Sequence, residues 1–288
     1  MAVTLSLLVM FTPLACGSQR GTRVRGHDLQ EFYDLGSIAA DMVAAAARGD
    51  SAAVARHVRA GADPNAPGRD GMLPLTWAFL AGSEPGVRAL LVAGADPNRR
   101  NGTFRNDRPG WAGLPPIALV VGAPDPKWLT LLLSHGGDPN AVGVSAEPIL
   151  FDAIGTMQVP RVRALVERGA NVNARSLGNM TPLVAAASLN QFQIVRYLLE
   201  RGADWRARGG LGLTLAYLVQ DRTLDPDARE LVDAQRWVRA FLESQGVRFP
   251  VPEPAEQRRL DSLAAVGARA PAGPPGPEVD ISAPSPAE

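Results

Sequence analysis

Gly61-Ala62-Asp63-Pro64-Asn65 is the first copy of a turn that recurs along the chain. The later copies are Gly94-Ala95-Asp96-Pro97-Asn98, Gly136-Gly137-Asp138-Pro139-Asn140, Gly169-Ala170-Asn171-Val172-Asn173 and Gly202-Ala203-Asp204-Trp205. The leading glycines are 33, 42, 33 and 33 residues apart. A fixed period of this length indicates a tandem array in which each repeat is one structural unit.

The residues around each turn predict how a helix ends there. Each glycine follows an apolar segment such as 194–199, and glycine adopts the left-handed conformation that ends a helix without steric cost. The Asp or Asn two places later can accept a hydrogen bond from the local backbone. A proline behind it, as at Pro64, prevents the helix from resuming.

A second signal predicts where the first helix of a repeat begins. It is complete as Thr181-Pro182-Leu183, where the threonine can cap free amides and proline suits the first helical position. A small or β-branched residue stands sixteen places before each of the first five turn glycines, where it lets helices approach closely; these residues are Ala45, Ala78, Val120, Ala153 and Ala186. Trp77 aligns inside its helix and is predicted to be a core residue.

The period, the turn and the Thr-Pro-Leu signature resemble the ankyrin-repeat family over roughly residues 37–250. The resemblance implies an all-α solenoid of about six helix-turn-helix repeats joined by short β-turn fingers. Neighbouring repeats would then hide their apolar faces against each other. The first repeat and the sixth, which has an insertion at 221–233, are irregular, as expected of terminal caps.

The flanking segments differ in composition from the array. We expect residues 16–36 to be a tether with a possible leading helix at 28–35. We expect residues 251–288, rich in Pro and Ala with almost no aromatic residues, to be a disordered tail.

The N-terminal residues 1–15 are typical of a bacterial signal peptide, since the apolar run is too short for a stable membrane anchor. Leu14-Ala15-Cys16-Gly17-Ser18 resembles a lipobox, which implies lipidation of Cys16, the single cysteine of the chain, and localisation to the periplasm and the outer membrane. The alternative is an ordinary cleaved signal that releases a soluble periplasmic protein.

Composition argues against several function classes. The 29 basic residues balance 29 acidic ones, which disfavours a nucleic-acid binder that relies on phosphate neutralisation. One cysteine and three scattered histidines predict no metal site, and no phosphate-binding loop occurs. We therefore predict no catalytic residue, no cofactor and no enzymatic activity.

The spacing of 42 predicts nine extra residues in one finger, between Arg99 and Leu114. In the family, partners usually meet the finger tips and the exposed side of the first helices. Arginine and aromatic residues often dominate interface energies, although either ring of this finger could fold back over a repeat. The predicted partner-binding residues are Arg69, Met72, Arg100, Phe104, Arg105, Arg108, Trp111 and Met180. Asp70 and Leu177 also align near finger tips, and Leu80 and Leu189 align near the ends of first helices.

These observations predict a periplasmic, lipid-anchored module that binds another protein. Some bacterial ankyrin lipoproteins of this kind resemble immunity proteins, which inhibit a toxin delivered into the periplasm. The alternative is an envelope scaffold or stress-resistance factor with several weak partners.

Overall fold

The computed structural model describes residues 23–24, 27–102 and 112–268. Within these ranges the chain forms six helix pairs, followed by one further helix. The first helices of the pairs are α1 (Ile38–Arg48), α3 (Pro74–Leu80), α5 (Pro116–Val120), α7 (Ile149–Gly155), α9 (Pro182–Ser188) and α11 (Leu215–Asp221). The second helices are α2 (Ser51–Arg59), α4 (Glu84–Val92), α6 (Lys127–Ser134), α8 (Val159–Glu167), α10 (Phe192–Glu200) and α12 (Arg229–Ser244). The prediction of about six repeats is confirmed.

The predicted turn chemistry is also confirmed. The turn glycines have positive φ angles, for example 104° at Gly61 and 93° at Gly169. The hydroxyl of Thr181 accepts a hydrogen bond from the amide of Val184 at 3.3 Å, so it caps α9 as expected. In the sixth repeat the predicted insertion 221–233 is shorter, because α11 ends at Asp221 and α12 already begins at Arg229.

The core runs through the stack between the first and second helices of neighbouring repeats. Residues 74–79 of α3 and 182–187 of α9 are all buried. The aligned residues sixteen places before the turn glycines are buried without exception in the first five repeats; they are Ala45, Ala78, Val120, Ala153 and Ala186. Trp77 is buried, as predicted, and its ring packs against Phe32 with the ring centroids 5.5 Å apart. Apolar burial between repeats is thus the main stabilising contribution.

The N-terminal segment differs from its prediction. A two-stranded antiparallel pair, β1 (Arg23–Val24) and β2 (His27–Asp28), leads into a short 3-10 turn at Leu29–Glu31 instead of a leading α-helix. Phe32 and Tyr33 are buried immediately after the turn. The segment lies against the array as a cap, because the side chains of Phe32 and Tyr33 are buried in the core of the array. They do not form the apolar face of a separate helix.

The C-terminal segment differs as well. Residues 254–268, predicted to be disordered, form helix α13 (Pro254–Ala268). The helix contains Ala, Leu, Glu, Gln and Arg, which have high helix propensity, and an ion pair between Arg208 and Asp261 docks it on the array. The remainder of the predicted tail, 269–288, and the predicted signal peptide at 1–15 lie outside the described residues. None of the described helices is long and apolar enough to cross a membrane.

Candidate functional site

The fingers are the segments that join one helix pair to the next, and a ladder of asparagines holds them in register. The side-chain amide of Asn65 donates to the carbonyl of Gly94 at 2.8 Å, and its side-chain oxygen accepts from the amide of Asp96 at 2.7 Å. Asn98, Asn140 and Asn173 repeat both bonds to the next finger. Four rungs therefore join five consecutive turns.

Within each turn, the aspartate or asparagine binds the local backbone as predicted. Asp63, Asp96 and Asp138 each accept from the amide two residues later at 2.8 Å. These carboxylates are engaged by the turn and contribute to its geometry. The ladder itself was not predicted, although its signal, an asparagine as the last residue of four of the five turns, is present in the sequence.

The long finger is anchored at its base. The amide of Asn101 donates to the carbonyl of Leu114 at 3.1 Å, and the amide of Gly113 donates to the carbonyl of Gly102 at 3.2 Å. Gly102 also donates to the carbonyl of Gly71 at 2.9 Å. A Cβ atom on Gly71 would lie 2.3 Å from the Cα atom of Gly102, so both fingers require glycine at this crossing. Residues 103–111, with the predicted binding residues Phe104, Arg105, Arg108 and Trp111, lie outside the described residues, as does Cys16.

One of the predicted binding residues, Met72, is corrected by the structure. Met72 is only 1% exposed, because its side chain packs into the core. Its backbone carbonyl accepts hydrogen bonds from the amide of Gly68 at 2.8 Å and from the hydroxyl of Tyr33 at 2.6 Å. Met180 occupies the same place in a later finger, where its carbonyl accepts from the amide of Ser176 at 3.0 Å. Its side chain is partly buried against the core. Met72 is therefore buried away from any partner, whereas partner binding by Met180 stays a prediction.

The two predicted arginines within the described fingers are exposed but already engaged. Arg69 pairs with Asp34 and donates to the carbonyl of Gln30 at 3.2 Å. Arg100 donates to the carbonyl of Gly113 at 2.9 Å, at the base of the long finger. The N-terminal segment therefore covers part of the first finger.

Apolar side chains project from the tips of three consecutive later fingers. Val144 is 58% exposed, Leu177 is 80% exposed and Leu211 is 84% exposed. Val144 and Leu211 were missed from the sequence, because neither aligns with a family signature. We name these three residues the tip ridge.

Behind the tip ridge, Asp152 on α7 supports the finger at 143–147. A Cβ atom on Gly143 would lie 1.8 Å from the Oδ2 atom of Asp152, which is buried and has no hydrogen-bond partner among the described residues. Burial raises the pKa of Asp152, and the nearby charge of Glu147 acts in the same direction. Glu147 in turn accepts from the amide of Leu177 at 3.0 Å, which links two fingers. Glu147 therefore helps to position Leu177 of the tip ridge.

A second set of contacts fixes the opposite edge of the array. The hydroxyl of Ser83 donates to the carbonyl of Ala46 at 2.6 Å. The side-chain amide of Gln191 donates to the carbonyl of Ile154 at 3.0 Å. Between them, the buried Arg161 donates to the carbonyl of Val121 at 2.7 Å and to two further carbonyls after α5. Burial lowers the pKa of Arg161. Side chains of the second helices thus satisfy the carbonyls at the ends of the preceding first helices.

Comparisons with known proteins agree with this architecture. Residues 165–217 match the family model described as ankyrin repeats in many copies. The chain has the ankyrin-repeat fold. The crystal structure of EF0377, an ankyrin repeat protein, superposes with a TM-score of 0.52 at 19% identity over 69% of this chain and 96% of that one. No curated protein matches the chain.

The ankyrin-repeat array shows no metal centre within the part of the chain that the structure describes, where no three His, Cys, Asp or Glu residues group closely enough to hold an ion. The three histidines take part in local contacts or lie on helix surfaces; His135, for example, lies 3.0 Å from the carbonyl of Leu131. The exposed side chains of the fingers include apolar tips, arginines and the turn aspartates, and apolar and arginine side chains are frequent at protein interfaces.

Proposed function

We propose that this ankyrin-repeat chain is a non-catalytic module that binds another protein through its later fingers. The observation that supports this is the tip ridge, since exposed apolar residues grouped on one surface commonly mark an interaction site. The stacked helices bury their own apolar faces, and the ridge residues are not needed for that burial. The long finger, with Phe104, Arg105, Arg108 and Trp111, would extend the same surface.

We further propose that the module acts in the periplasm, anchored to the outer membrane by a lipid on Cys16. Metabolic labelling with an alkyne-tagged fatty acid should label the full chain and should fail to label Cys16→Ser. Equal labelling of both proteins would contradict the anchor. A chain that is exported but unlabelled would favour the soluble periplasmic alternative.

The narrower proposal is that the chain inhibits one partner, in the manner of an immunity protein. Photo-crosslinking from position 111 or 104 in the native envelope, followed by mass spectrometry, should yield one stoichiometric partner. A toxin-family gene next to the coding sequence would support the inhibitor role. Unimpaired survival of a deletion strain beside toxin-producing siblings would contradict it.

The alternative is an envelope scaffold or stress-resistance factor with several weak partners. A second exposed apolar pair, Met157 and Leu189, lies in the loops within repeats and gives this alternative a further surface. Pull-down from envelope extracts distinguishes the two, since a broad set of proteins recovered in low yield favours the scaffold.

A further inference from the structure

The charge of the later fingers indicates what kind of partner the tip ridge fits. Residues 173–180 and 206–213 contain three arginines and no acidic residue. These are Arg175, Arg206 and Arg208, and all three are exposed.

The arginines of these fingers also make local contacts. Arg175 donates to the carbonyl of Asn179 at 2.9 Å and to the carbonyl of Arg208 at 2.7 Å, which joins two fingers. Arg206 lies over the neighbouring Trp205 ring, 4.1 Å from its centroid. The charge of Arg208 is already paired with Asp261 of helix α13, so apolar tips beside these arginines favour an apolar partner surface that also supplies carboxylates.

Helix α13 shows how such a surface can dock. It lies against the last finger, where the Asp261 carboxylate is 2.5 Å from a guanidinium nitrogen of Arg208. Arg258 of the same helix donates to the carbonyl of Leu211. Hydrogen bonds from Gln257 and Arg208 hold the pKa of Asp261 below its usual range. The chain's own helix thus places a carboxylate on a finger arginine.

The contacts that hold α13 on the last finger are weak. Leu260 and Leu263, its large apolar residues within the described side chains, are about half exposed and bury little apolar surface. The Arg208–Asp261 pair is also about half exposed on both sides, where solvent screens the attraction between the two charges. A helix that also buried apolar side chains against the tip ridge would therefore bind in preference to α13.

We infer that the tip ridge recognises an acidic amphipathic helix, which lies across the fingers as α13 lies across the last one and displaces α13 from Arg208. This inference rests on the proposed function, because it names the partner chemistry for the same surface. Leucines of the incoming helix would contact Val144, Leu177 and Leu211, and its glutamates or aspartates would pair with Arg206 and Arg208.

The test uses the full chain and designed peptides as probes. One labelled helical peptide has leucines on one face and glutamates on its flanks, and a matched peptide has lysines in place of the glutamates. Fluorescence anisotropy should show saturable binding of the acidic peptide and at least tenfold weaker binding of the basic one. Combining Arg206→Ala with Arg208→Ala should weaken binding of the acidic peptide at least tenfold, which is a loss of about 1.4 kcal/mol. Arg236→Ala removes an exposed arginine of α12 and should leave affinity unchanged.

Removing the internal competitor gives a second readout. Asp261→Ala frees Arg208 and should strengthen binding of the acidic peptide severalfold. Equal binding of both peptides, or an unchanged affinity in the double arginine variant, would overturn the inference. Binding to phosphatidylglycerol vesicles without binding to the acidic peptide would overturn it in favour of a lipid surface. If crosslinking captures a partner whose binding ignores these arginines, the proposed function stands and only this inference fails.

Discussion

Removing one rung of the asparagine ladder should destabilise the array by a predictable amount. In Asn140→Ala, the carbonyl of Gly169 loses a donor at 3.1 Å and the amide of Asn171 loses an acceptor at 2.8 Å. Each net hydrogen bond contributes about 0.5–1.5 kcal/mol, and the exposed position lets water replace part of each bond. The expected loss in the free energy of unfolding is about 1–2 kcal/mol, near the lower part of that sum.

Urea denaturation followed by circular dichroism measures this loss, read from the midpoint at an unchanged m-value. Thr130→Ala is the matched control, since Thr130 is exposed and its hydroxyl makes only one local 3.4 Å contact, to the carbonyl of Pro126. The control should change stability by less than about 0.5 kcal/mol. If Asn140→Ala behaved like the control, the rungs would not stabilise the stack and the reasoning would be refuted.

Three further results are expected. Arg161→Met removes the donor for the carbonyls of Val121 and two neighbours and should cost about 2–4 kcal/mol in urea denaturation, whereas exposed Arg163→Met should cost far less. Because the folded-state pKa of Asp152 is raised, its stabilising contribution is present below the unfolded pKa of about 3.9 and lost as pH rises through the folded pKa. Asp152→Asn should therefore melt at a higher temperature than the parent at pH 7, with the difference vanishing below about pH 4; an equal difference at both pH values would contradict this. Trp111→Ala combined with Arg108→Ala should weaken binding of a captured partner by more than about 2 kcal/mol in calorimetry without lowering the melting temperature, and unchanged affinity would remove the long finger from the binding surface.

The repeat boundaries could be predicted because they depend on local chemistry. A turn glycine such as Gly169 must be left-handed, and Asn171 bonds an amide only two residues away. The small side chain of Ala153 predicts a buried position, because it lets neighbouring helices approach closely. These features repeat at one period, so each copy supports the interpretation of the others.

The terminal segments could not be predicted, since their structure depends on non-local contacts. Tyr33 orders its segment by reaching Met72, and Asp261 docks α13 by reaching Arg208. Neither partner is identifiable from the sequence of the segment itself. The wrong assignment of Met72 to the surface has the same cause, because the family position predicts proximity to a tip and does not predict which way the side chain packs.

The proposed binding surface was predicted only in outline. The resemblance to ankyrin repeats implies that fingers recognise partners, and Leu177 aligns near a tip. Leu211 was not predicted, although it occupies the same left-handed position of its finger as Asp70, with φ angles of 59° and 56°. Exposure of a single side chain is set by the local backbone conformation, which the periodic pattern does not encode.

Site-specific photo-crosslinking tests most directly whether the fingers are the surface that recognises a partner. A photoreactive residue is placed at Leu177 on a finger tip or at Met157 in a loop within a repeat, two positions that are 80% and 64% exposed. After irradiation in the native envelope, mass spectrometry should identify a crosslinked protein from position 177 and none from position 157. A partner captured from position 157 alone would contradict the account.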